Sequence, residues 1–434
     1  MLDRLKKLYW KLPVPVSWKV KVRSLFPEEK ETISENSCVA IRSLAKESLS
    51  DYCMHVLNTP TNKSKYYCDY IDHPGQSQKR ALVCAYYLTQ YHPTEKNNLW
   101  WGKGTTEWTN VTKAVSQYEG HYQPRLAGEL GYYDLRLAEN MYRQIELAHN
   151  YGIDAFAFYY YWFNGERALE LPFENFISHK DMNQKFCLCW CNEDWTKRYS
   201  GTSSEVLLSV GKSQDSYFRF LNSILPYFSD NRYLTIDEKY VLIIYRPSEM
   251  PDPKETIGRW REIVKEKTGR QLYLIASQER RINTDWTKFG FDAISQFHPA
   301  SCIDGSKEIT GHFDCIRKDF NGHIYDYFSA IESALTSLNN YQKIYPAVMP
   351  MWDNTSRRNN SPTIFEGCSP SLFGKWLDKA IEYTENNNEL EERMVFVNAW
   401  NEWGEGAYLE PDRMYGYAFL EQVYLSNSIK DKLV

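Results

Sequence analysis

The sequence predicts an α/β protein, a (β/α)8 (TIM) barrel with an N-terminal extension, and three observations carry that expectation. Eight short runs rich in apolar, β-branched and aromatic residues recur along the chain after its first 78 residues. Longer stretches with helical spacing separate them. Polar and aromatic residues then gather just after the strong runs. Continuous apolar strands separated by helices imply a parallel sheet covered on both faces. Eight such units close into a barrel whose chemistry sits at the C-terminal mouth. An open doubly wound sheet is the alternative, but the glycine fingerprint expected after its first strand is missing.

Residues 1–78 read as the extension, partly helical, ending at the turn-rich HPGQSQ, and residues 79–434 as the catalytic domain. The start, MLDRLKKLYWKLPVPVSWKVKVRSLF, places Leu2, Leu5, Leu8 and Leu12 on one helical face among Arg4, Lys6, Lys7 and Lys11. Residues 1–26 therefore suit either of two partners: an anionic membrane surface, held peripherally, or the chain's own domain. No continuous apolar core of a signal peptide is present, and no run of about 18 apolar residues, so the expected location is cytoplasmic, including the inner membrane face.

The predicted strands are ALVCAYYL (81–88), DAFAFYYYW (154–162), KFCLCWCNE (185–193), KYVLIIYRP (239–247), QLYLIAS (271–277), FDAISQF (291–297), IYPAVMPMW (344–352) and MVFVNAWNEW (394–403). Helices are expected in YYDLRLAENMYRQIELAHNYG, SYFRFLNSILPYF, PKETIGRWREIVKEKTG and PSLFGKWLDKAIEYTENN. Cys187, Cys189 and Cys191 alternate on one strand side, as small buried groups. The ten cysteines form no zinc-spaced cluster, so no metal or other cofactor is expected.

Charge is nearly balanced, 51 basic against 56 acidic side chains for a net of −5, which excludes the clustered basic surplus of a nucleic-acid binder. Aromatic content stands out, with 14 Trp, 33 Tyr and 20 Phe. Rings to stack on, set among polar side chains, are what a sugar site uses.

If the mouth of the barrel is the site, its candidates follow from the strand ends. Tyr86 and Tyr87 alternate, so one alone faces the site, and Tyr87 is the candidate. Gln90, His92, Trp101, Glu107 and Trp108 follow the first run, with His92 also suited to ordering its loop and Glu107 to pairing with Arg167. Tyr160 and Trp162 end the second run. Trp190, Asn192, Glu193 and Trp195 end the third, where a polar group contacts substrate or holds a loop. Trp352 closes the seventh, and Trp400 and Trp403 flank the eighth.

The last run carries the chemistry. In NAWNEWGEGAYLEP, Glu402 sits on the same strand face as residues 394, 396, 398 and 400, and Gly404 and Gly406 allow a turn that brings Glu405 over the mouth, with Glu410 behind. Two carboxylates flanking a glycosidic bond are the usual equipment of sugar hydrolysis. One must stay protonated near neutrality, which requires burial or a like-charged neighbour. A structural or sugar-orienting pair is the other reading of the same spacing.

The segments YYLTQYHPTEKNNLWWGKGTTEWTNV, FAFYYYWFNGERALELP, CLCWCNEDWT and NAWNEWGEGAYLEP resemble WbsX-type proteins of bacterial polysaccharide gene clusters, a group similar to glycoside hydrolase family 99. The resemblance covers residues 81–425. It implies a metal-independent barrel acting with retention on α-linked, mannose-like glycans through a 1,2-anhydro sugar. By that resemblance Glu402 removes the 2-hydroxyl proton, Glu405 is acid and then base, and Glu410 contacts sugar hydroxyls. The family's histidine between the glutamates is Gly404 here, which puts mannose specificity in question. The implied partner is an oligo- or polysaccharide, free or lipid-linked, in surface polysaccharide or O-antigen (lipopolysaccharide) metabolism. Two rivals stand beside this reading: a glycosyltransferase, although the chain has neither Asp-x-Asp nor a phosphate loop, and a non-catalytic carbohydrate-binding barrel.

Overall fold

All eight apolar runs become strands of one parallel sheet, because a strand buried on both faces needs apolar residues at every position. The computed structural model describes residues 63–74, 79–196, 205–314, 317 and 319–429. The barrel strands are β1 (Leu82–Tyr87), β2 (Ala155–Phe163), β3 (Lys185–Trp190), β4 (Lys239–Ile244), β5 (Leu272–Ser277), β6 (Ala293–Ser295), β7 (Ile344–Tyr345 with Ala347–Val348) and β8 (Met394–Val397). Each pairs in parallel with its sequence neighbours, from Cys84 opposite Ala155 round to Leu82 opposite Met394. Pro346 divides β7, since it has no N–H to give to the ladder. Ile344–Tyr345 pair with β6 and Ala347–Val348 with β8, so the two ends of the sheet meet at that proline and the ring closes.

The helices that matter to the site are α1 (Glu95–Trp101), α2 (Glu107–Lys113), α3 (Ala138–Asn150), α4 (Leu171–Ser178), α5 (Gln214–Ile224), α6 (Pro253–Thr268), the single turn α7 (Thr355–Arg358) and α8 (Pro370–Asn387). Their ends are written locally. Asp252 caps α6 through the Glu255 N–H and left-handed Gly269 stops it; Ser369 caps α8 ahead of Pro370. Between β5 and β6 there is only a 3-10 turn, Trp286–Phe289, instead of a full helix.

Strand parity sorts the aromatic residues into two layers. Inside the barrel, Tyr86 stacks on Tyr159 at 5.6 Å and meets Phe297 and Phe396. Cys84, Cys187 and Cys189 surround the same phenol, fully buried, as the alternating cysteines led one to expect. Outside, under the helices, Phe158 packs on Phe173 and Phe176 of α4, and Trp190 stacks on Phe220 of α5 at 3.6 Å, beside Trp260 of α6.

Four expected substrate contacts belong to that outer layer and are corrected here: Tyr87, Tyr160, Trp162 and Trp190. Tyr87 is buried beneath α3, with its hydroxyl on Gln144 at 2.6 Å. Tyr160 packs on Phe173 and Phe220, and Trp162 on Phe220 and Trp190. The period of two along a strand decides this: once Tyr86 and Tyr159 point inward, their neighbours cannot.

Residues 63–74 run along the domain. Ser64 donates to the Met414 carbonyl, and His73 meets Glu421 at 2.7 Å while stacking on Tyr424. The basic amphipathic start and its membrane-facing expectation lie outside the described residues. Among the described residues no helix is long and apolar enough to cross a membrane.

Candidate active site

The expected continuous strand through Glu402 does not form. β8 ends at Val397, and the chain then leaves the sheet to build a hairpin, Asn401–Glu402 against Ala407–Tyr408, around a 3-10 turn at Trp403–Glu405. Asn401 clamps this hairpin to the end of β1: its side chain accepts from the Leu88 N–H at 2.7 Å and donates to the Leu88 carbonyl at 3.0 Å. The Tyr91 hydroxyl donates to the Asn401 carbonyl and accepts from the Trp403 N–H. Gly406 turns the chain with φ +61°, and a Cβ there would press on the Asp353 backbone.

The turn brings Glu402 and Glu405 onto one guanidinium. Arg357, on α7, reaches Glu402 Oε2 with Nη2, Glu405 Oε1 with Nη1 and Glu107 Oε1 with Nε, each at 2.7 Å. Ser356 fixes α7 against the turn by donating to the Gly404 carbonyl at 2.6 Å. Glu107 was expected to face substrate or Arg167; it is wholly buried and paired with Arg357, while Arg167 pairs with Glu174.

Three carboxyls around one cation cannot all ionise cheaply away from water. Burial pushes the Glu402 carboxyl up to about 8, with the charges of Glu405 and Glu107 adding to the shift and Arg357 opposing it. Glu405 is raised too, first by burial, then by Glu107, against Arg357 and Arg358. Glu402 and Glu405 therefore titrate as an interacting pair. Glu405 is its open member, with 24 % of its side chain exposed against 6 % for Glu402.

Gly404 now has a physical reason. A Cβ at that position would lie 1.6 Å from Glu107 Oε1 and 2.7 Å from Arg357 Nε. The third carboxylate and the arginine fill the space a side chain there would need.

Several other candidates brace this turn from behind. Glu410 is buried and accepts from Trp403 Nε1 at 2.6 Å, Gln144 Nε2 at 2.6 Å and the Tyr133 hydroxyl at 3.0 Å. Burial pushes it up to about 7 against the pull of those donors. Trp403 stacks on Tyr408 at 3.8 Å, Trp108 donates to the Tyr133 carbonyl, and Trp400 packs on Phe156. His92 orders its own loop on the Thr89 carbonyl, and Asn192 ties Tyr217 to the Arg246 backbone. Trp352 is buried beside Asp353 at the base of the Arg357 loop. Gln90, Trp101, Glu193 and Trp195 are the candidates left partly exposed, with Glu193 on Arg246 at 3.0 Å.

Sequence reasoning missed Arg357, Tyr159 and Tyr161. Tyr159 and Tyr161 share inward parity on β2, and Tyr245 follows β4 against Phe297. Choosing Tyr86 as the inward residue of its pair would have aligned them. Two buried glutamates also demand a cation, and the only signal for it was the Arg357–Arg358 pair in the loop after the seventh strand.

The family described as "Glycosyltransferase WbsX" matches residues 83–423. An "Uncharacterized protein WxcX" of Xanthomonas campestris pv. campestris strain B100 is 39 % identical over 344 residues, which are 79 % of this chain and 49 % of that one. The chain thus spans about half the length of the curated relatives it matches. Among solved structures, a "Glycoside hydrolase-like protein" aligns with TM-score 0.54 and 15 % identity, over 84 % of this chain and 98 % of its own. The GH99 endo-alpha-mannosidase from Bacteroides thetaiotaomicron aligns with TM-score 0.51 and 13 % identity, over 79 % of this chain and 96 % of its own. At such identities the two structures show a shared fold.

Proposed function

The chain belongs to the WbsX family, and on that premise we propose that it is a carbohydrate-active enzyme that cleaves or transfers α-linked sugars with retention, within bacterial surface polysaccharide or O-antigen metabolism. One observation carries the proposal: Glu402 and Glu405 bind the two terminal nitrogens of the same guanidinium, at a site whose burial raises both carboxyls. Acid and base on adjacent groups are what glycoside chemistry requires.

In the proposed route, Glu402 takes the proton of the sugar 2-hydroxyl as that oxygen attacks the anomeric carbon. The bond to the leaving oxygen breaks, and Glu405 gives that oxygen its proton. Water then loses a proton to Glu405 and opens the new ring at the anomeric carbon, while Glu402 returns its proton to the 2-oxygen. Two inversions give retention. The depth of the two side chains supports this division, since Glu405 is the one open to a leaving group. Arg357 holds both carboxyls in register and keeps the deeper one able to ionise. An acceptor hydroxyl in place of water gives transfer by the same steps, and the family's description favours that second outcome.

A screen of bacterial polysaccharide fragments with products identified by mass tests the activity. Glu402→Gln and Glu405→Gln should each lower turnover by about 10²–10⁴-fold, the usual contribution of a general acid or base. Undiminished turnover in either variant removes that residue from the mechanism.

A further inference from the structure

We propose that Tyr159, Tyr161, Trp195 and Trp100 form a run of sugar subsites leading out of the carboxylate cluster, so that the substrate is an extended glycan of uncharged pyranose units. This deepens the function proposed above and rests on it for the place where cleavage or transfer occurs.

The run starts at the chemistry. Tyr159 is on the inner face of β2, and its phenol lies within electrostatic reach of both Glu402 and Glu405. Tyr161, two residues further along the same face, follows at 6.4 Å between ring centres. Trp195, beyond the end of β3, is 5.1 Å from Tyr161 and 5.1 Å from Phe163. Trp100 of α1 lies 6.3 Å beyond Trp195. Three elements of the mouth thus contribute a continuous chain of four rings with steps on the scale of one pyranose.

Exposure separates these rings from the core. The fold buries Trp190, Trp260, Trp376, Trp400 and Trp403 completely, yet leaves Tyr161, Trp195 and Trp100 partly open. An indole or phenol face kept accessible in a polar surround suits the apolar C–H face of a sugar ring.

The polar groups on the flanks point to uncharged sugars. Lys96, one turn before Trp100 on α1, pairs with Glu166 at 2.6 Å, and Arg246 pairs with Glu193 at 3.0 Å. Each of these two cations is already paired with a carboxylate. The paired carboxylates remain 57 % and 43 % exposed, placed to accept from sugar hydroxyls.

Calorimetry on the full-length Glu402→Gln chain tests this, with linear α-linked oligosaccharides of two, four and six units in manno, gluco and galacto series. Affinity should rise by about tenfold or more between the two- and six-unit probes in at least one series. Trp195→Ala and Trp100→Ala, on different elements and each checked for an intact melting transition, should each erase most of that gain. A flat length dependence, a gain that survives both substitutions, no binding by any probe, or tighter binding of a nucleoside diphosphate sugar than of every six-unit probe overturns the proposal. Length-dependent binding without turnover by the unsubstituted chain keeps the subsites and rejects the enzymatic reading. Turnover of disaccharides as fast as of longer chains does the reverse.

Discussion

At Gly404 a single missing atom decides whether the cluster can exist. The Glu107 carboxylate occupies the place of a Cβ at 1.6 Å, so Gly404→Ala must displace either that carboxylate or the backbone of the turn. Overpacking of this kind costs about 1–3 kcal/mol, and activity should fall with it as Arg357 loses its register. Chemical denaturation and a turnover assay read the two effects. The two glutamates were legible in the sequence because they stand three apart beside glycines. Arg357 was not, because nothing in its neighbours says which carboxylates it meets. Glu107 was visible as a candidate, but its partner came from a loop 250 residues away.

Among the elements, the loop after β7 sets the site by way of a second buried pair. Asp353 accepts from His121 Nε2 at 2.7 Å and from Gln123 Nε2 at 2.6 Å, and it caps the turn that carries Arg357 through Thr355. Burial alone would raise this carboxyl, but His121 and Arg125 hold it well below the usual range. Asp353→Ala leaves buried donors without a partner, a loss of about 3–5 kcal/mol. Urea titration should show that loss, and Arg357→Met in the same background should add little to the defect in turnover. Strand parity supplies a converse test. Trp190, expected at the mouth, stacks on Phe220 in the outer layer, so Trp190→Phe should lower the melting temperature while kcat/KM changes by less than about threefold. A large rise in KM would return Trp190 to the site. The sequence showed that aromatic residues alternate along each strand. Which parity faces inward depends on how eight strands tilt and close, and that is not written in any one of them.

For the molecule as a whole, a buried cluster of carboxyls ties stability to pH. The Glu402 carboxyl moves from 4.5 to about 8 on folding, so the folded chain holds that proton more tightly than the unfolded chain does. Its contribution is fully present below 4.5 and is lost as pH rises through about 8. The denaturation midpoint should therefore fall across that window, and Glu402→Gln should flatten the fall. A midpoint that rises from mildly acidic to mildly alkaline conditions in both chains would contradict the burial of this cluster. The acidic limb of kcat/KM should follow the same loss, because Glu402 can take the 2-hydroxyl proton only once it has given up its own.

By itself the sequence determined the eight strands, the major helices, the mouth as the place where polar and aromatic residues gather, and Glu402 and Glu405 as the acids to watch. Those features are carried by residues two, three or four apart, the range over which pleat and helix repeat. Only the tertiary structure decided the partners: Arg357 from 45 residues before Glu402, Glu107 from the neighbouring loop after β1, and Tyr159 in place of Tyr160. An ion pair in a buried site is fixed by where closure of the barrel carries distant loops, and local periodicity has no term for that distance.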